Sequence, residues 1–175
     1  MLVSRFWTRS LAGAAALLSG IAAAVAASAI APKAGGFTVT FPVAPEQKTV
    51  DTKGDDPVTG EVWSAGANGV VYFVDYVDYT HAIDAEGELA ANAKNFAASF
   101  KGHVTSGRKR SFKRSGETLP GLRFTFEGPT VAGIGVTAVA GRRSYVAAAV
   151  SVKPHDGRAE IESFLKSFRL TAIVP

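Results

Sequence analysis

The 175-residue chain contains no cysteine, and it contains only three histidines. The absence of cysteine excludes a disulfide framework, a thiol nucleophile, a cysteine-ligated zinc or iron–sulfur site, and a lipoprotein anchor carried on cysteine. Charged residues are also sparse, at 19% of the chain, whereas hydrophobic residues reach 47%. That balance excludes a disordered chain, and the length fits one domain together with a targeting segment.

The N-terminus has the organisation of a secretory signal peptide. A short positive start precedes residues 11–31, which carry no charge. The tripeptide Ala27-Ser28-Ala29 satisfies the small-x-small rule of signal peptidase. We therefore predict a cleaved signal peptide over residues 1–29 and a single domain over residues 30–175.

The alternative is an uncleaved inner-membrane anchor formed by residues 11–31. This run is long enough to span a bilayer, but alanine dominates it and contributes little transfer free energy. Composition therefore favours cleavage, which places the protein in the bacterial periplasm or outside the cell. A cysteine-free chain suits that location, because export does not require disulfides.

The charge balance of the exported part gives no reason to expect a nucleic acid partner. Residues 1–29 contain two of the 19 basic residues and none of the 15 acidic ones. Their removal lowers the net charge from +4 to about +2, far from the strongly basic surface that nucleic acid binding requires.

Period-two alternation and continuous apolar runs predict a series of β-strands. The predicted strands cover residues 37–41, 61–65, 70–79, 103–112, 122–127, 131–140 and 145–152. Residues 51–60, rich in Asp, Gly and Pro, predict a loop or the tip of a hairpin. The strand over 70–79 is apolar on both faces, which is typical of a central strand covered on both sides.

Two segments have helical spacing instead. Between 84 and 101, Leu89, Phe96 and Phe100 fall on one stripe, and Asp84 is suited to cap the helix. A second helix is predicted over about 157–168. The resulting fold class is α+β, with a mostly antiparallel β-sheet flanked by helices.

Three short motifs carry a resemblance to a known family. The segment Phe37–Pro42 followed by Pro45, the turn Leu119–Gly121 before a strand, and the closing Phe164–Leu170 are similar to PsbP-like and DcrB-like domains. The resemblance covers nearly all of residues 37–170. It implies an α/β/α sandwich, and it implies binding or assembly roles more than catalysis.

A glycine motif spells part of a dinucleotide fingerprint, Gly133-x-Gly135-x-x-Ala138. That fingerprint binds a dinucleotide only where a strand ends at the glycines and a helix begins. Here the segment continues as a strand, so the glycines are expected to admit close packing, and no cofactor is predicted.

Asp75, Asp78, His81 and Asp84 recur at every third residue and could in principle hold a divalent metal. Alternation along a strand, however, places Asp75 and Asp78 on opposite faces. Because Asp84 is better used as a helix cap, solvated and capping roles are favoured and no metal site is predicted.

Nucleophilic catalysis has little support in this sequence. The chain has histidines at 81, 103 and 155, but its sequence contains no serine in a G-x-S-x-G elbow. The 15 acidic residues select no particular pair for acid–base work. The chain is therefore interpreted as non-catalytic, with an unrecognised hydrolase kept as a third hypothesis.

Basic residues provide the one concentrated feature. A candidate patch for an anionic lipid surface or an acidic protein face consists of Arg108, Lys109, Arg110, Lys113, Arg114, Arg142 and Arg143. The simpler interpretation of its first five members is a charged edge strand, since Lys and Arg discourage edge-to-edge aggregation.

The leading functional hypothesis is an exported binding or assembly module of the cell envelope, with a protein or envelope partner. The alternative is a carrier of a small ligand or lipid, with a pocket between the helix at 84–101 and the sheet. Aromatic residues that could line such a groove, or instead form the core, are Tyr72, Tyr76, Tyr79, Phe96 and Phe100.

Overall fold

The computed structural model describes residues 26–53, 57–153 and 158–173. The predicted signal peptide lies outside them except for its last four positions, and so does most of the alternative anchor. Among the described residues, no helix is long and apolar enough to cross a membrane. The described elements are β1 (Ser28–Ile30), β2 (Phe37–Phe41), β3 (Glu46–Asp51), β4 (Val58–Ala67), β5 (Val70–Tyr79), α1 (Ala85–Ser99), β6 (His103–Arg114), β7 (Glu117–Glu127), β8 (Val131–Ala140), β9 (Arg143–Val152), α2 (Arg158–Ser167) and β10 (Arg169–Leu170).

Strand pairing produces two antiparallel sheets. The large sheet has seven strands in the order β3-β4-β5-β9-β8-β7-β6, and the small sheet has the order β1-β2-β10. Strand β5 pairs with β4 on one side and β9 on the other, which confirms the prediction of a central strand. The edges of the large sheet are β3 and β6.

Helix α1 covers one face of the large sheet, here called the α1 face. Its stripe packs Ala93, Phe96 and Ala97 against Phe124 and Phe126 of β7, all within one hydrophobic cluster. Asp84 caps the helix, since its carboxylate accepts from the backbone N–H of Glu86 and of Gly87. The helix and the cap predicted from the sequence are therefore confirmed.

Helix α2 and the small sheet together cover the opposite face, here called the α2 face. The alternating Phe37, Val39 and Phe41 of β2 are fully buried there beside Phe164 and Phe168. Helix α2 is described from Arg158 to Ser167, and position 157, near its predicted start, lies outside the described residues.

The α/β/α sandwich expected from the sequence is wrong. Strands account for 56% of the structure and helices for 17%, so the fold is sheet-dominated. On the α2 face, a three-stranded sheet shares the cover with the helix. The alternation in β2 shows that it buries one face, but alternation alone does not show which sheet a strand joins.

The predicted strands differ from the observed ones mainly at edges and hairpins. Residues 46–51 form a strand that the sequence did not predict, because β3 is a polar edge strand without alternation. Strand β3 pairs with β4 up to Asp51 and Thr59, so the segment 51–60 lies at the turn end of a hairpin, with its last three residues already in β4. Strand β7 begins at Glu117, and its first residues pair only with β6. That one-sided pairing accommodates Pro120, which has no N–H to donate.

Candidate anion-binding site

The pleat of β6 divides the predicted basic patch between two faces. Phe112 belongs to the cluster on the α2 face, so Arg108 and Arg110 share that face. Lys109 lies on the α1 face, where its Nζ donates to Glu86 Oε1 at 2.8 Å. The consecutive basic residues therefore do not form one surface.

One of the two arginines at the β8–β9 turn has a structural role. Arg143 is 9% exposed, and its guanidinium donates two hydrogen bonds to the Asp78 carboxylate, at 2.6 Å from Nε and 2.5 Å from Nη2. It also donates to the carbonyls of Ala34 and Gly35, and its guanidinium lies 4.2 Å from the centre of the Tyr76 ring. We conclude that Arg143 clamps the loop before β2 to the sheet.

The remaining members of the predicted patch have individual partners. Arg142 donates to the Thr80 carbonyl at 3.2 Å. Arg114 pairs with Glu117 at 2.9 Å, across the β6–β7 hairpin. Of the seven predicted residues, Arg110 and Lys113 line the cleft described next, and Arg108 lies beside it.

A cleft of about 340 Å³ opens on the α2 face between β6, β7 and the segment that joins α2 to β10. Five residues with cationic side chains line it, and they come from four elements. They are Arg110, Lys113, Arg123, Lys166 and Arg169. The sequence analysis missed the last three, because they are separated from β6 along the chain and meet it only through strand register. Among the five, Lys113 donates from its Nζ to Thr118 Oγ1 at 2.5 Å, on the α1 side of the β6–β7 pair.

Apolar side chains form the floor of this cationic cleft. Phe112, Leu165, Phe168 and Leu170 line it and are all buried. The Phe112 and Phe168 rings stand edge to face with centres 5.9 Å apart, and the Arg110 guanidinium lies 4.5 Å from the Phe112 ring centre. The floor belongs to the core of the α2 face, so it holds the cations in a rigid frame.

Most of the positive charge in the cleft is not neutralised within the described residues. Arg123 donates to Glu162 at 2.5 Å, but the other four lining cations have no carboxylate partner there. Burial lowers the pKa of Arg110, and the charges of Arg123 and Arg169 lower it further. Arg108 adds to this field, because it lies directly opposite Arg123 in the strand pairing.

The chemistry of the cleft is suited to holding an anion. Arginine presents a planar fork that binds carboxylate or phosphate oxygens in pairs. Among the described residues, the lining provides one hydroxyl, from Ser111, and no carboxylate or imidazole. The arrangement therefore offers charge and shape complementarity rather than a pair of groups for proton transfer.

A buried polar cluster lies on the α1 face, and the sequence analysis did not identify it. Asn92 Nδ2 donates to Thr137 Oγ1 at 3.1 Å and to Ser144 Oγ at 2.6 Å. Nearby, the Tyr79 hydroxyl donates to Glu88 Oε1 at 2.7 Å. These hydrogen bonds tie helix α1 to strands β5, β8 and β9.

Asp75 belongs to the same face and is 2% exposed. Its Oδ2 has no hydrogen-bond partner among the described residues. Burial raises the pKa of Asp75 well above its usual value; a backbone hydrogen bond with Val146 opposes this, and the charge of Glu88 adds to it. Burial therefore favours the protonated form of the Asp75 carboxyl group.

The structure separates the four residues considered for a metal. Asp75 is buried on the α1 face, Asp78 binds Arg143, and Asp84 caps α1. The His81 ring lies 6.0 Å from the Tyr79 ring. In the described ranges, no group of three or more His, Asp or Glu residues could hold a metal ion.

The glycines of the partial dinucleotide motif make room for aromatic rings. A Cβ at Gly133 would collide with the Phe126 ring, and one at Gly135 with the Phe124 ring. Both glycines lie inside β8, and strand pairing continues through them. This confirms the close-packing interpretation of the motif.

Aromatic packing fills the region proposed for a carrier pocket between helix α1 and the sheet. The Phe96 ring centre lies 5.8 Å from that of Phe73, 6.0 Å from that of Phe124 and 5.5 Å from that of Phe126. Tyr72, Tyr76, Tyr79 and Phe96 are buried, and Phe100 is partly buried. These residues therefore form core rather than the walls of a groove.

The fold and the cleft define a class: a sheet-dominated antiparallel domain with a cationic cleft at one sheet edge. Comparison with protein-family models gives no match, and comparison with curated proteins gives none either. The resemblance to PsbP-like and DcrB-like domains therefore stays a prediction. The argument for function rests on the cleft.

Proposed function

We propose that this chain is an exported, non-catalytic binding module of the cell envelope, and that its cleft holds an anionic group of its partner. The observation that carries the proposal is the set of four cations without a carboxylate partner in the described structure, placed over an apolar floor. Holding like charges close together is unfavourable in the free protein. A ligand that neutralises them offsets that cost, which is the logic of a binding site.

The export part of the proposal rests on the sequence of residues 1–29, with its charged start, uncharged run and small residues at the end. The binding part is independent of it. The partner is an envelope protein or another anionic envelope component, and peripheral contact with an anionic membrane surface uses the same chemistry.

A small-ligand carrier remains the second candidate, with its site moved to the cleft. The volume of about 340 Å³ lies at the low end of ligand pockets. It suits a headgroup or a single anionic group, and it is small for a whole lipid. The size therefore favours one charged group of a larger partner over a fully enclosed ligand.

The test compares two triple variants that lower the net charge equally. Arg110→Ser, Lys113→Ser and Lys166→Ser remove three cleft cations, none of which pairs with a carboxylate in the described structure. The matched control replaces Lys33, Lys48 and Lys94, three exposed residues that do not line the cleft. Two probes are used, a glutamate-rich peptide and phosphatidylglycerol vesicles, and affinity is measured at several salt concentrations.

We expect the cleft variant to bind at least one probe about ten-fold more weakly than the parent chain, and the control to bind nearly as well as the parent. Melting temperatures of both variants are measured to exclude unfolding. Equal losses in both variants would attribute binding to net charge alone and would refute the cleft as a site. If the parent chain binds neither the peptide nor the vesicles, the proposal itself is refuted.

A further inference from the structure

The two edges of the large sheet differ in length and charge. Strand β3 has six residues and carries both signs of charge, in Glu46, Lys48 and Asp51. Strand β6 has twelve residues, nine of them exposed, and all its charged residues except its terminal histidine are Lys or Arg. In the part of the chain that the structure describes, no strand pairs with the outer side of β6. Its outward N–H and C=O groups are therefore available to another strand.

The two arginines of β6 that have no carboxylate partner among the described residues lie on the α2 face. On the α1 face, Lys109 already pairs with Glu86. On the α2 face, Arg108 and Arg110 have no carboxylate partner among the described residues and border the cleft. The arginines of this edge that lack a carboxylate partner therefore stand on the side of the sheet where the cleft opens.

We propose that an extended acidic peptide adds to β6 as an eighth strand and places its carboxylates over the cationic cleft. This inference rests on the proposed function and names the partner and its mode of binding. An added strand would lie about 4.8 Å from β6, and its alternate side chains would share the face of Arg108 and Arg110. Opposite charges across a strand pair stabilise it.

The geometry also specifies the peptide's sequence pattern. Because side chains alternate between faces, acidic residues are needed at every second position, with uncharged strand-forming residues between them. Backbone hydrogen bonds provide affinity in strand addition, and the cleft provides selectivity. A lipid headgroup would use the same cations but would leave the β6 edge unpaired.

The experiment uses three peptides of about ten residues, the length of an ordinary strand. One alternates glutamate and threonine, one has the same sequence with N-methylated threonines, and one has the same composition in two blocks. Affinity is measured by fluorescence polarisation with the full exported chain. Protection of the β6 amides at positions 108–113 is measured by hydrogen exchange, and phosphatidylglycerol vesicles are used as competitors.

We expect the alternating peptide to bind about ten-fold more tightly than the other two and to protect the β6 amides. The Arg110, Lys113 and Lys166 cleft variant should remove most of this binding. Equal affinity for the N-methylated peptide, without amide protection, would overturn strand addition and leave the cleft as an anion site. Binding to vesicles but to no peptide would overturn the peptide inference in favour of a lipid surface. Binding to no probe would overturn both proposals.

Strand β1 carries a second, independent inference about maturation. Its pairing with β2 joins Ser28 to Phe41, Ala29 to Thr40 and Ile30 to Val39. Cleavage after Ala29 would remove two of these three pairs and would leave a charged amino group on Ile30.

A second small-x-small tripeptide, Ala24-Val25-Ala26, ends just before β1. Ala26 and Ala27 are exposed and belong to no strand. We infer that signal peptidase cleaves after Ala26, so that the mature chain begins at Ala27 and keeps β1 whole.

The test is N-terminal sequencing and intact-mass measurement of the exported protein. A start at Ala27 is expected, whereas a start at Ile30 or an uncleaved chain would overturn the inference. Ala26→Leu should block or displace cleavage because the residue before the cut must be small. The matched variant Ala29→Leu should leave the cleavage position unchanged; the reverse result would restore cleavage after Ala29.

Discussion

The two faces of the large sheet are closed in different ways. On the α1 face, helix α1 seals the sheet with aromatic rings, and the polar groups beneath it, apart from Asp75, are hydrogen-bonded to one another. On the α2 face, the core is equally dense beneath β2 and α2, but it opens at β6 into a cleft where cations have no carboxylate partner in the described chain. The comparison indicates that the α1 face serves mainly stability, whereas the β6 end of the α2 face retains unfavourable charge for binding.

The largest loss of stability is expected for a substitution on the α1 face. Phe96 is fully buried among the Phe73, Phe124 and Phe126 rings. Phe96→Ala should lower the free energy of unfolding by about 3–5 kcal/mol, because it leaves a cavity in a rigid aromatic cluster. Chemical denaturation measures the loss. Phe112→Ala, on the cleft floor, should cost less stability but weaken binding to the acidic probe; the opposite ranking would remove the contrast between the faces.

The next largest loss of stability is expected when the contact between Arg143 and Asp78 is broken. Arg143 is nearly buried and binds Asp78 through two hydrogen bonds. Asp78→Ala should lower the free energy of unfolding by about 2 kcal/mol, because a buried guanidinium then lacks its partner. The double variant with Arg143→Met should recover part of that loss in a double-mutant cycle. Additive losses in the cycle would show that the two side chains are not coupled.

The pH dependence of stability should originate on the α1 face. Asp75 has a raised pKa when folded, so between about pH 4 and that raised pKa the folded state binds more protons than the unfolded state. Its contribution is therefore complete at low pH and is lost as the pH rises through this window. Asp75→Asn should flatten the fall and raise stability at neutral pH, as measured by denaturation from pH 4 to 8. Asp84→Asn, at the exposed helix cap, should leave the slope intact; an unchanged slope in Asp75→Asn would contradict the assignment.

The smallest effect on stability is expected in the cleft. The Arg110 guanidinium repels Arg123 and Arg169 in the free protein. Arg110→Gln should therefore leave stability unchanged or raise it, within about 0.5 kcal/mol, while it weakens binding to the acidic probe. The stability difference should shrink at high salt, because salt screens the repulsion. A clear loss of stability would mean that Arg110 serves packing through its contact with Phe112 rather than binding.

Local patterns of apolar residues were sufficient to predict most of the strands and helices. The patterns in 37–41, 70–79 and 131–140 predicted β2, β5 and β8 with their observed bounds. Alternation indicated the half-buried strand β2, and apolar residues on both faces indicated the central strand β5. The polar strand β3 escaped prediction, since a strand at a sheet edge is specified by its partner rather than by burial. The predicted fold class was wrong for a similar reason. Nothing in the sequence indicated that the strands sharing a face with α2 form a second sheet.

The sequence by itself determined where seven of the ten described strands and helix α1 lie, where that helix is capped, and that basic residues concentrate near 108–114. Only the tertiary structure decided which cations meet. The pleat of β6 sends Arg110 and Lys109 to opposite faces, and pairing with β7 brings Arg123 beside Arg110. The end of α2 supplies Lys166 and Arg169 from a distant part of the chain. The physical reason is that charge density along a chain is local, whereas a binding site depends on strand register and packing, which only the whole fold sets.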